Sequence, residues 1–167
     1  VSGPQLIHPD RLTPKGTVFE GVLRPGELEN LADELASPDG ELHYRVHAAL
    51  DASRRRVVSC IIKGFVFLTC QQSFETFRHE VAIEDRLVLV DSEEELPPFE
   101  EEGDREDFVV ATGPVEVKGL VEEAVILSLP MVPHKPGLEP EGEGGRMETD
   151  RPSPFAALAG LKRPGTK

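Results

Sequence analysis

The stretch RVVSCIIKGFVFLTC, residues 56–70, constrains the fold more than any other part of the chain. Its apolar side chains recur at every second position, which places them on one face of an extended strand. That face carries Val58, Cys60, Ile62, Gly64, Val66, Leu68 and Cys70. The opposite face carries Ile61, Lys63, Phe65 and Phe67. We predict one long strand, bent or bulged at Gly64, with a hairpin that turns at Lys63-Gly64 as the alternative.

The neighbouring segments predict further strands. Residues 41–52, ELHYRVHAALDA, alternate between apolar and polar side chains and predict a half-buried strand. The polar face of this strand carries His43, Arg45 and His47. Residues 75–90 predict a strand region, bent near Glu84-Asp85, that pairs with the long strand through a turn at 71–74. TVFEGVL at 17–23 and DFVVAT at 107–112 are typical of short strands.

Two segments show helical periodicity. In residues 26–36 apolar side chains recur at helical spacing after Pro25, and the turn signal SPDG ends the pattern. Residues 119–129 carry a broad apolar face, and Pro130 ends that helix. We therefore predict an α+β fold: a bent, largely antiparallel β-sheet of about five strands with two packed helices, plus a short C-terminal helix on a flexible linker.

Composition divides the chain into three parts. Residues 1–132 predict a single α+β domain, in which the acidic, Pro-containing residues 91–107 form a mobile loop. Residues 133–152 are rich in Pro, Gly and Glu and predict a flexible linker. Residues 153–167 predict a helical tail. The residues of the tail that we expect to dock, either on a partner or equally on the protein's own sheet, are Phe155, Leu158 and Leu161.

The net charge excludes nucleic-acid binding by bulk electrostatics. The chain has 31 acidic and 18 basic side chains and a net charge of −13, whereas proteins that bind polyphosphate by overall charge are basic. A contact with RNA would therefore need a local basic patch or a partner protein. The candidate residues for such a patch are a turn at Arg54, Arg55 and Arg56 and the strand face of His43, Arg45 and His47.

Cysteine usage and hydropathy indicate the compartment. Two cysteines, Cys60 and Cys70, do not make a disulfide framework, which is typical of a reducing compartment. The longest apolar runs are too short to span a bilayer, and we expect no secretory signal and no membrane partner. We predict a cytoplasmic protein.

The turn LTCQQSF, residues 68–74, differs from a C-x-x-C metal or redox motif by one atom, because the oxygen of Ser73 stands where the motif has a cysteine sulfur. The hydroxyl of Ser73 is a poor zinc ligand beside Cys70, and no second ligand pair follows. His43 and His47 would lie about 13 Å apart on a strand, too far to share an ion. We therefore predict neither metal nor cofactor. Purified protein should contain no stoichiometric zinc, and the Cys70→Ser variant should fold with a modest loss of stability.

Catalytic motifs are absent from the sequence. There is no G-x-S-x-G, no Walker A motif and no G-x-G-x-x-G, and no pair of carboxylates sits in a recognisable site. We predict that the protein is not an enzyme, with a nuclease as a remote alternative.

Three stretches resemble the YceD family, the large ribosomal RNA subunit accumulation proteins. GFVFLTCQQSFETF at 64–77 looks like the family's strand with a C-x-x-C turn. LVEEAVILSLPMVPHKPG at 120–137 is similar to its acidic-apolar helix ending in Leu-Pro-x-x-Pro, and RPSPFAALAGLK at 151–162 to its terminal motif. Many relatives carry C-x-x-C and later cysteines that look like a zinc site. Here Ser73 replaces the second cysteine and residues 133–152 contain none, which argues against a metal.

The resemblance implies a role in the accumulation or processing of 23S ribosomal RNA, and hence in large-subunit biogenesis. Our first hypothesis is a factor that acts through a protein partner on ribosomal RNA or a pre-ribosomal particle. The alternative is direct RNA binding by the basic turn and the neighbouring strand face.

Overall fold

The computed structural model describes residues 4–97 and 106–137. Five of its strands form one sheet in the order β2-β3-β4-β5-β6. They are β2 (Thr17–Leu23), β3 (Ser37–Leu50), β4 (Arg56–Thr69), β5 (Thr76–Val90) and β6 (Asp107–Val110). The β2, β3, β4 and β5 strands pair antiparallel with their neighbours, and β6 joins β5 in parallel. The predicted α+β class and five-stranded, largely antiparallel sheet are confirmed.

Strand β4 is continuous from Arg56 to Thr69, so the alternative hairpin at Lys63-Gly64 is wrong. Its pairing with β3 and β5 runs without a shift through Gly64, and the irregularity lies in β3, between Ser37 and Gly40. A Cβ atom on Gly64 would come within 1.9 Å of the carbonyl oxygen of Glu41. Glycine is therefore needed at this position because the backbones of β3 and β4 approach closely. The pairing of β4 with β5 also continues without a shift through Glu84-Asp85, where we expected a bend.

The first predicted helix, 26–36, is much shorter in the structure. A 3₁₀ turn at Pro25–Glu27 leads into α1 (Glu29–Ala32), with the extended residue Leu28 between them. The side chains of Leu28 and Leu31 are fully buried, which fixes this short segment against the core. Ala36 donates its N–H to the carbonyl of Phe67 at 2.9 Å, and the following residues continue as β3. Pairing with β4 thus overrides the local turn signal of SPDG.

The second helix, α2 (Val117–Ser128), agrees closely with the prediction and begins two residues earlier. It follows β7 (Val115–Glu116), which pairs antiparallel with β1 (Leu6–Ile7) in a separate two-stranded sheet. This small sheet was not predicted, because strands of two residues carry too little alternation to be recognised. Neither described helix is long and apolar enough to cross a membrane.

Both helices contribute to the core on one face of the main sheet. The fully buried side chains of α2, Val117, Val121 and Val125, belong to the same cluster as Val46 and Ile62 of the sheet. The alternation read from the sequence places the core residues of β3 and β4 correctly. The opposite face, which we call the open face, presents His43, Arg45 and His47 of β3 together with the polar side chains of β2, β4 and β5.

The predicted division into a domain at 1–132, a linker and a tail falls partly outside the described residues. Part of the acidic loop 91–107 is described: Glu93–Glu95 form a 3₁₀ turn, and Asp107 starts β6. Residues 138–152 of the linker and all of the tail, 153–167, lie outside the described part. The three-part organisation therefore stays a prediction.

Candidate functional site

The turn from Cys70 to Glu75, here called the Cys70 turn, surrounds a sulfur atom with hydrogen-bond donors. Phe74 donates its N–H to the Cys70 carbonyl, and Cys70 donates its own to the Glu75 carbonyl, both at 2.9 Å. The N–H of Ser73 lies 3.5 Å from the Cys70 Sγ, and the N–H of Lys135 lies 3.4 Å from it. The side chain of Cys70 is buried, as predicted, so these donors meet a sulfur atom that is shielded from water.

The residues that follow α2 are attached to the Cys70 turn. Gln71 donates its N–H to the carbonyl of Pro133 at 2.8 Å, and the Lys135 ammonium pairs with the Glu75 carboxylate at 2.9 Å. The first residues of the predicted linker therefore contact the sheet through a turn that lies far from them in sequence.

These hydrogen bonds lower the pKa of the Cys70 thiol to about 6. The hydroxyl of Ser73 is the largest cause, and the backbone N–H groups of Ser73 and Lys135 add to it. The other cysteine is different: burial, with a further contribution from the Asp85 carboxylate, raises the pKa of Cys60 to about 11. The two thiols therefore favour opposite protonation states at neutral pH.

The donor set at the Cys70 turn does not fit a zinc ion. Structural zinc takes four ligands from cysteine, histidine or carboxylate side chains. Within residues 4–97 and 106–137, no three His, Cys, Asp or Glu side chains are grouped so that they could hold a metal. Cys70 is instead surrounded by N–H groups and by the hydroxyl of Ser73. That the purified protein carries no zinc stays a prediction, which metal analysis tests.

The basic turn at residues 54–56, here called the arginine turn, is largely neutralised by carboxylates. Asp51 accepts the N–H groups of Ser53 and Arg55 at 2.9 Å, and its carboxylate meets the Arg55 guanidinium at 2.8 Å. Arg55 also pairs with Glu106 at 3.1 Å, and Glu106 pairs with Arg86 at 2.8 Å. Two arginines thus share two carboxylates beside the turn.

Arg56 has carboxylate partners of its own. Its guanidinium lies 2.7 Å from Asp91 and 4.0 Å from Asp10. The hydrogen bond with Asp91 raises the pKa of Arg56, and the bond with Arg56 lowers the pKa of Asp91. The positive charge of Arg55 and Arg56, which suggested an RNA contact, is therefore already balanced within the protein. Arg54, which has a positive φ of 62°, forms no ion pair with the residues that the structure describes.

The strand residues proposed for RNA contact lie side by side on the open face, as the alternation predicts. His43 contacts the Glu41 carboxylate, and the His47 Nε2 lies 3.4 Å from the carbonyl of Lys15. Arg45 stands between Glu20 of β2 and Ile61 of β4 in the strand register. The face mixes both signs of charge: its cations are Arg45, Lys63, Arg78 and Arg86, and its carboxylates are Glu20, Glu41, Glu80 and Glu84.

One aromatic cluster interrupts this polar face. The rings of Phe65 and Phe67 meet edge to face with their centroids 5.8 Å apart, and the Arg78 guanidinium lies 3.7 Å from the Phe65 centroid. Both rings are half-buried. Because Arg78 already covers the Phe65 ring, only part of this cluster is available for stacking on a base.

On the core side of the sheet, a groove runs between α2 and the strands β5 and β6. Its volume is about 830 Å³. Apolar side chains from the sheet and the helix line it, among them Leu87, Leu89, Leu120 and Leu127. Its acidic residues are Asp85, Asp107, Glu116, Glu122 and Glu123. Burial raises the pKa of Asp85, and the charge of Asp107 contributes to the shift.

Glu122 is the acidic residue of the groove with a clear structural role. Its carboxylate accepts the backbone N–H groups of Asn30 and Leu31 at 2.7 and 3.1 Å. These bonds satisfy donors at the start of α1 that have no partner within the short helix, and they tie α1 to α2.

The groove was not predicted from the sequence, although one signal for it was present. In VAIEDRLVLV the charged pair Glu84-Asp85 puts a carboxylate on the face that otherwise carries Val81, Ile83 and Leu87. A charge at a core-facing position usually needs a local reason. The predicted docking residues Phe155, Leu158 and Leu161 lie outside the described residues, so their role stays a prediction.

The chain is similar in sequence to one family of known proteins. The family model described as "Large ribosomal RNA subunit accumulation protein YceD" matches residues 58–162. Over 171 residues the chain is 25% identical to the protein of that name from Haemophilus influenzae, and the alignment covers 96% of each chain. No solved structure shows significant similarity to the chain.

Proposed function

The chain belongs to the YceD family, as its sequence motifs predict, and from this membership we propose that it is a non-enzymatic factor that promotes accumulation or processing of 23S ribosomal RNA. It acts in the cytoplasm, on the large ribosomal subunit as it is assembled. Its contacts with the pre-ribosomal particle are made chiefly to proteins. The name of the Haemophilus influenzae relative supports the ribosomal RNA role.

The ion pairing of the arginine turn is the observation that most favours protein contacts over RNA contacts. An arginine that neutralises a phosphate releases counterions and gains affinity from doing so. Arg55 and Arg56 would first have to leave Glu106 and Asp91, which lie 3.1 and 2.7 Å away. With a net charge of −13, the whole chain also repels RNA at long range.

The arrangement of the carboxylates supports a role without metal-dependent cleavage of RNA. Metal-dependent cleavage of RNA uses clustered carboxylates that hold one or two metal ions. No such cluster of three ligands exists in the described part of the chain. A metal-dependent cleavage activity that point variants abolish would contradict this part of the proposal.

Affinity purification of the tagged full chain from its source cells tests the proposal. One half of the sample is treated with ribonuclease before elution, and both protein and RNA are identified. We expect precursors of 23S ribosomal RNA in the untreated half and a set of large-subunit proteins that remains bound after treatment. Loss of every protein on ribonuclease treatment would contradict contact through proteins. An unchanged ratio of 23S to 16S ribosomal RNA in cells that lack the gene would contradict the role itself.

Direct RNA binding remains the second candidate, and it is favoured by the cations that have no ion-pair partner among the described residues. These include Arg54 in the arginine turn and Arg45 and Lys63 on the open face. This candidate predicts cross-links to ribosomal RNA in cells that weaken in an Arg45→Ala Lys63→Ala variant but not in an Arg24→Ala control. Equal cross-linking by both variants would remove it.

A further inference from the structure

The groove between α2 and the strands β5 and β6 differs from the rest of the molecule in the state of its carboxylates. Asp51, Asp91 and Glu106, beside the arginine turn, each have an arginine partner within 3.1 Å. Within residues 4–97 and 106–137, neither Asp85 nor Asp107 forms an ion pair with any cationic side chain. The groove therefore combines unpaired negative charge with an apolar lining.

Two of the apolar side chains that line the groove are exposed to solvent. Leu127 on the last turn of α2 is 78% exposed, and Val109 on β6 is 40% exposed. A large apolar side chain at the helix surface loses the free energy of burial unless something covers it. Glu123 lies one helical turn before Leu127, so carboxylate and apolar side chain stand on the same side of α2.

We propose that this groove binds a basic peptide segment of a partner protein, with an apolar side chain of the segment on Leu87, Leu120 and Leu127 and its Lys or Arg residues against Asp85, Asp107 and Glu123. Charge complementarity selects this occupant: an anionic segment or RNA would be repelled by the same carboxylates that attract a basic one. A neutral apolar segment would leave those carboxylates without partners. The apolar contact supplies affinity and the carboxylates supply orientation.

The inference rests on the proposed function, because it supplies the protein contact through which the factor reaches the pre-ribosomal particle. Ribosome assembly presents proteins with basic segments, which match the chemistry of the groove. The test uses purified components. Its failure would thus leave the role in 23S ribosomal RNA accumulation intact, whereas an unchanged 23S to 16S ratio in cells would remove that role and not the binding.

The test measures binding of fluorescent, overlapping synthetic peptides from the large-subunit ribosomal proteins of the source organism to the full chain by fluorescence anisotropy. Bound peptides should carry Lys or Arg next to Leu, Ile or Phe. Replacing the basic residues of the best peptide by Glu should abolish binding. The Glu123→Lys and Leu127→Lys variants should each bind this peptide at least about tenfold more weakly, and the matched Glu84→Lys control on the open face should change affinity less than about twofold.

Thermal unfolding of each variant accompanies the binding measurement. Glu84, Glu123 and Leu127 are exposed, so all three variants should keep the melting temperature of the parent chain within a few degrees. The absence of any bound peptide, or equal binding by the Glu84→Lys and Glu123→Lys variants, would overturn the proposal.

Two further measurements test whether the groove has a different occupant. A dimer in sedimentation experiments that Leu127→Lys dissociates would assign the groove to a second copy and overturn the proposal. Peptide binding that appears only in a Phe155→Ser Leu158→Ser variant of the full chain would assign it to the chain's own end, with the same consequence. A monomer that binds basic peptides with the parent sequence at 155 and 158 supports it.

Discussion

At the Arg56 end of strand β4, guanidinium groups meet carboxylates from separate segments, whereas beyond its Thr69 end backbone N–H groups converge on the sulfur of Cys70. Each end of β4 thus leads into a polar cluster. Each cluster holds a segment that is distant in sequence, at Glu106 or at Lys135, to the sheet. The arginine turn joins Asp51 and Glu106, and the Cys70 turn joins Ser73 and Lys135.

The two clusters use different physics. Ion pairs between partly exposed side chains are screened by salt, and each contributes little. Hydrogen bonds from backbone N–H groups to a buried sulfur are insensitive to salt, but they depend on pH because they favour the thiolate. The first kind of cluster neutralises a surface; the second creates a site where one negative charge is stable.

The strongest test inserts a negative charge at each of the two buried cysteines, Cys60 within β4 and Cys70 just beyond its end. We expect Cys60→Asp to lower the free energy of unfolding by about 4 kcal/mol, because it places an unpaired carboxylate in an apolar core beside Asp85. Cys70→Asp should lower the free energy of unfolding by less than half of that amount, since N–H donors face the new carboxylate. Both free energies are measured by urea unfolding at pH 8. Equal losses would mean that the donors do not stabilise an anion.

Asp51→Ala should have the next largest effect. The change removes the side-chain acceptor of the Ser53 and Arg55 N–H groups, and it takes one of two carboxylate partners from the Arg55 guanidinium, which keeps Glu106. We expect the melting temperature to fall by about 5 °C, measured by circular dichroism. Asp33→Ala, at an exposed position after α1, is the matched control and should change it by no more than about 1 °C.

The pH dependence of stability separates the two cysteines. The folded-state pKa of Cys70 is about 6, below that of an ordinary thiol near 8.5, so its hydrogen bonds stabilise fully above pH 8.5 and are lost as the pH falls to 6. For Cys60 the folded-state pKa is about 11, so burial of the neutral thiol stabilises below pH 8.5 and is lost as the pH rises toward 11.

Urea unfolding of Cys70→Ala and Cys60→Ala at several pH values measures these slopes. The stability lost in Cys70→Ala should grow from pH 6 to pH 8.5, whereas the loss in Cys60→Ala should shrink above pH 8.5. The thiolate absorbance near 240 nm should titrate near pH 6 in the parent chain and disappear from that range in Cys70→Ala. A Cys70→Ala loss that is constant with pH would show that the sulfur only fills space.

The difference between the two ends also explains what the sequence could predict. Strands β3, β4 and β5 follow from alternation, which is a local property, and the burial of Cys60 and Cys70 follows with it. The contacts that define each cluster are not local. Lys135 lies 65 residues from Cys70, and Glu106 lies 51 residues from Arg55. No periodicity connects such pairs.

The helix predicted at 26–36 is shorter in the structure for a related reason. Leu28, Leu31 and Leu35 do recur at helical spacing, but the bond from Ala36 to the carbonyl of Phe67 holds the chain to β4. The sequence alone does not show that the carbonyl of Phe67 is available as an acceptor, because this depends on how the strands of the sheet are arranged. The groove beside α2 was missed because its carboxylates come from four separate elements, and only the charge of Asp85 at a core-facing position of an alternating strand pointed to it.

The smallest expected effect is at Arg56. Its guanidinium is within 2.7 Å of Asp91, but the side chain of Asp91 is 63% exposed, so water competes for the bond. We expect Arg56→Gln to lower the free energy of unfolding by less than about 1 kcal/mol in low salt and by nothing measurable in 1 M NaCl. Cys70→Ala, measured beside it, should lose the same stability at both salt concentrations. If Arg56→Gln were as costly in high salt, Arg56 would stabilise the fold by packing rather than by charge, and the physical distinction between the two ends of β4 would no longer hold.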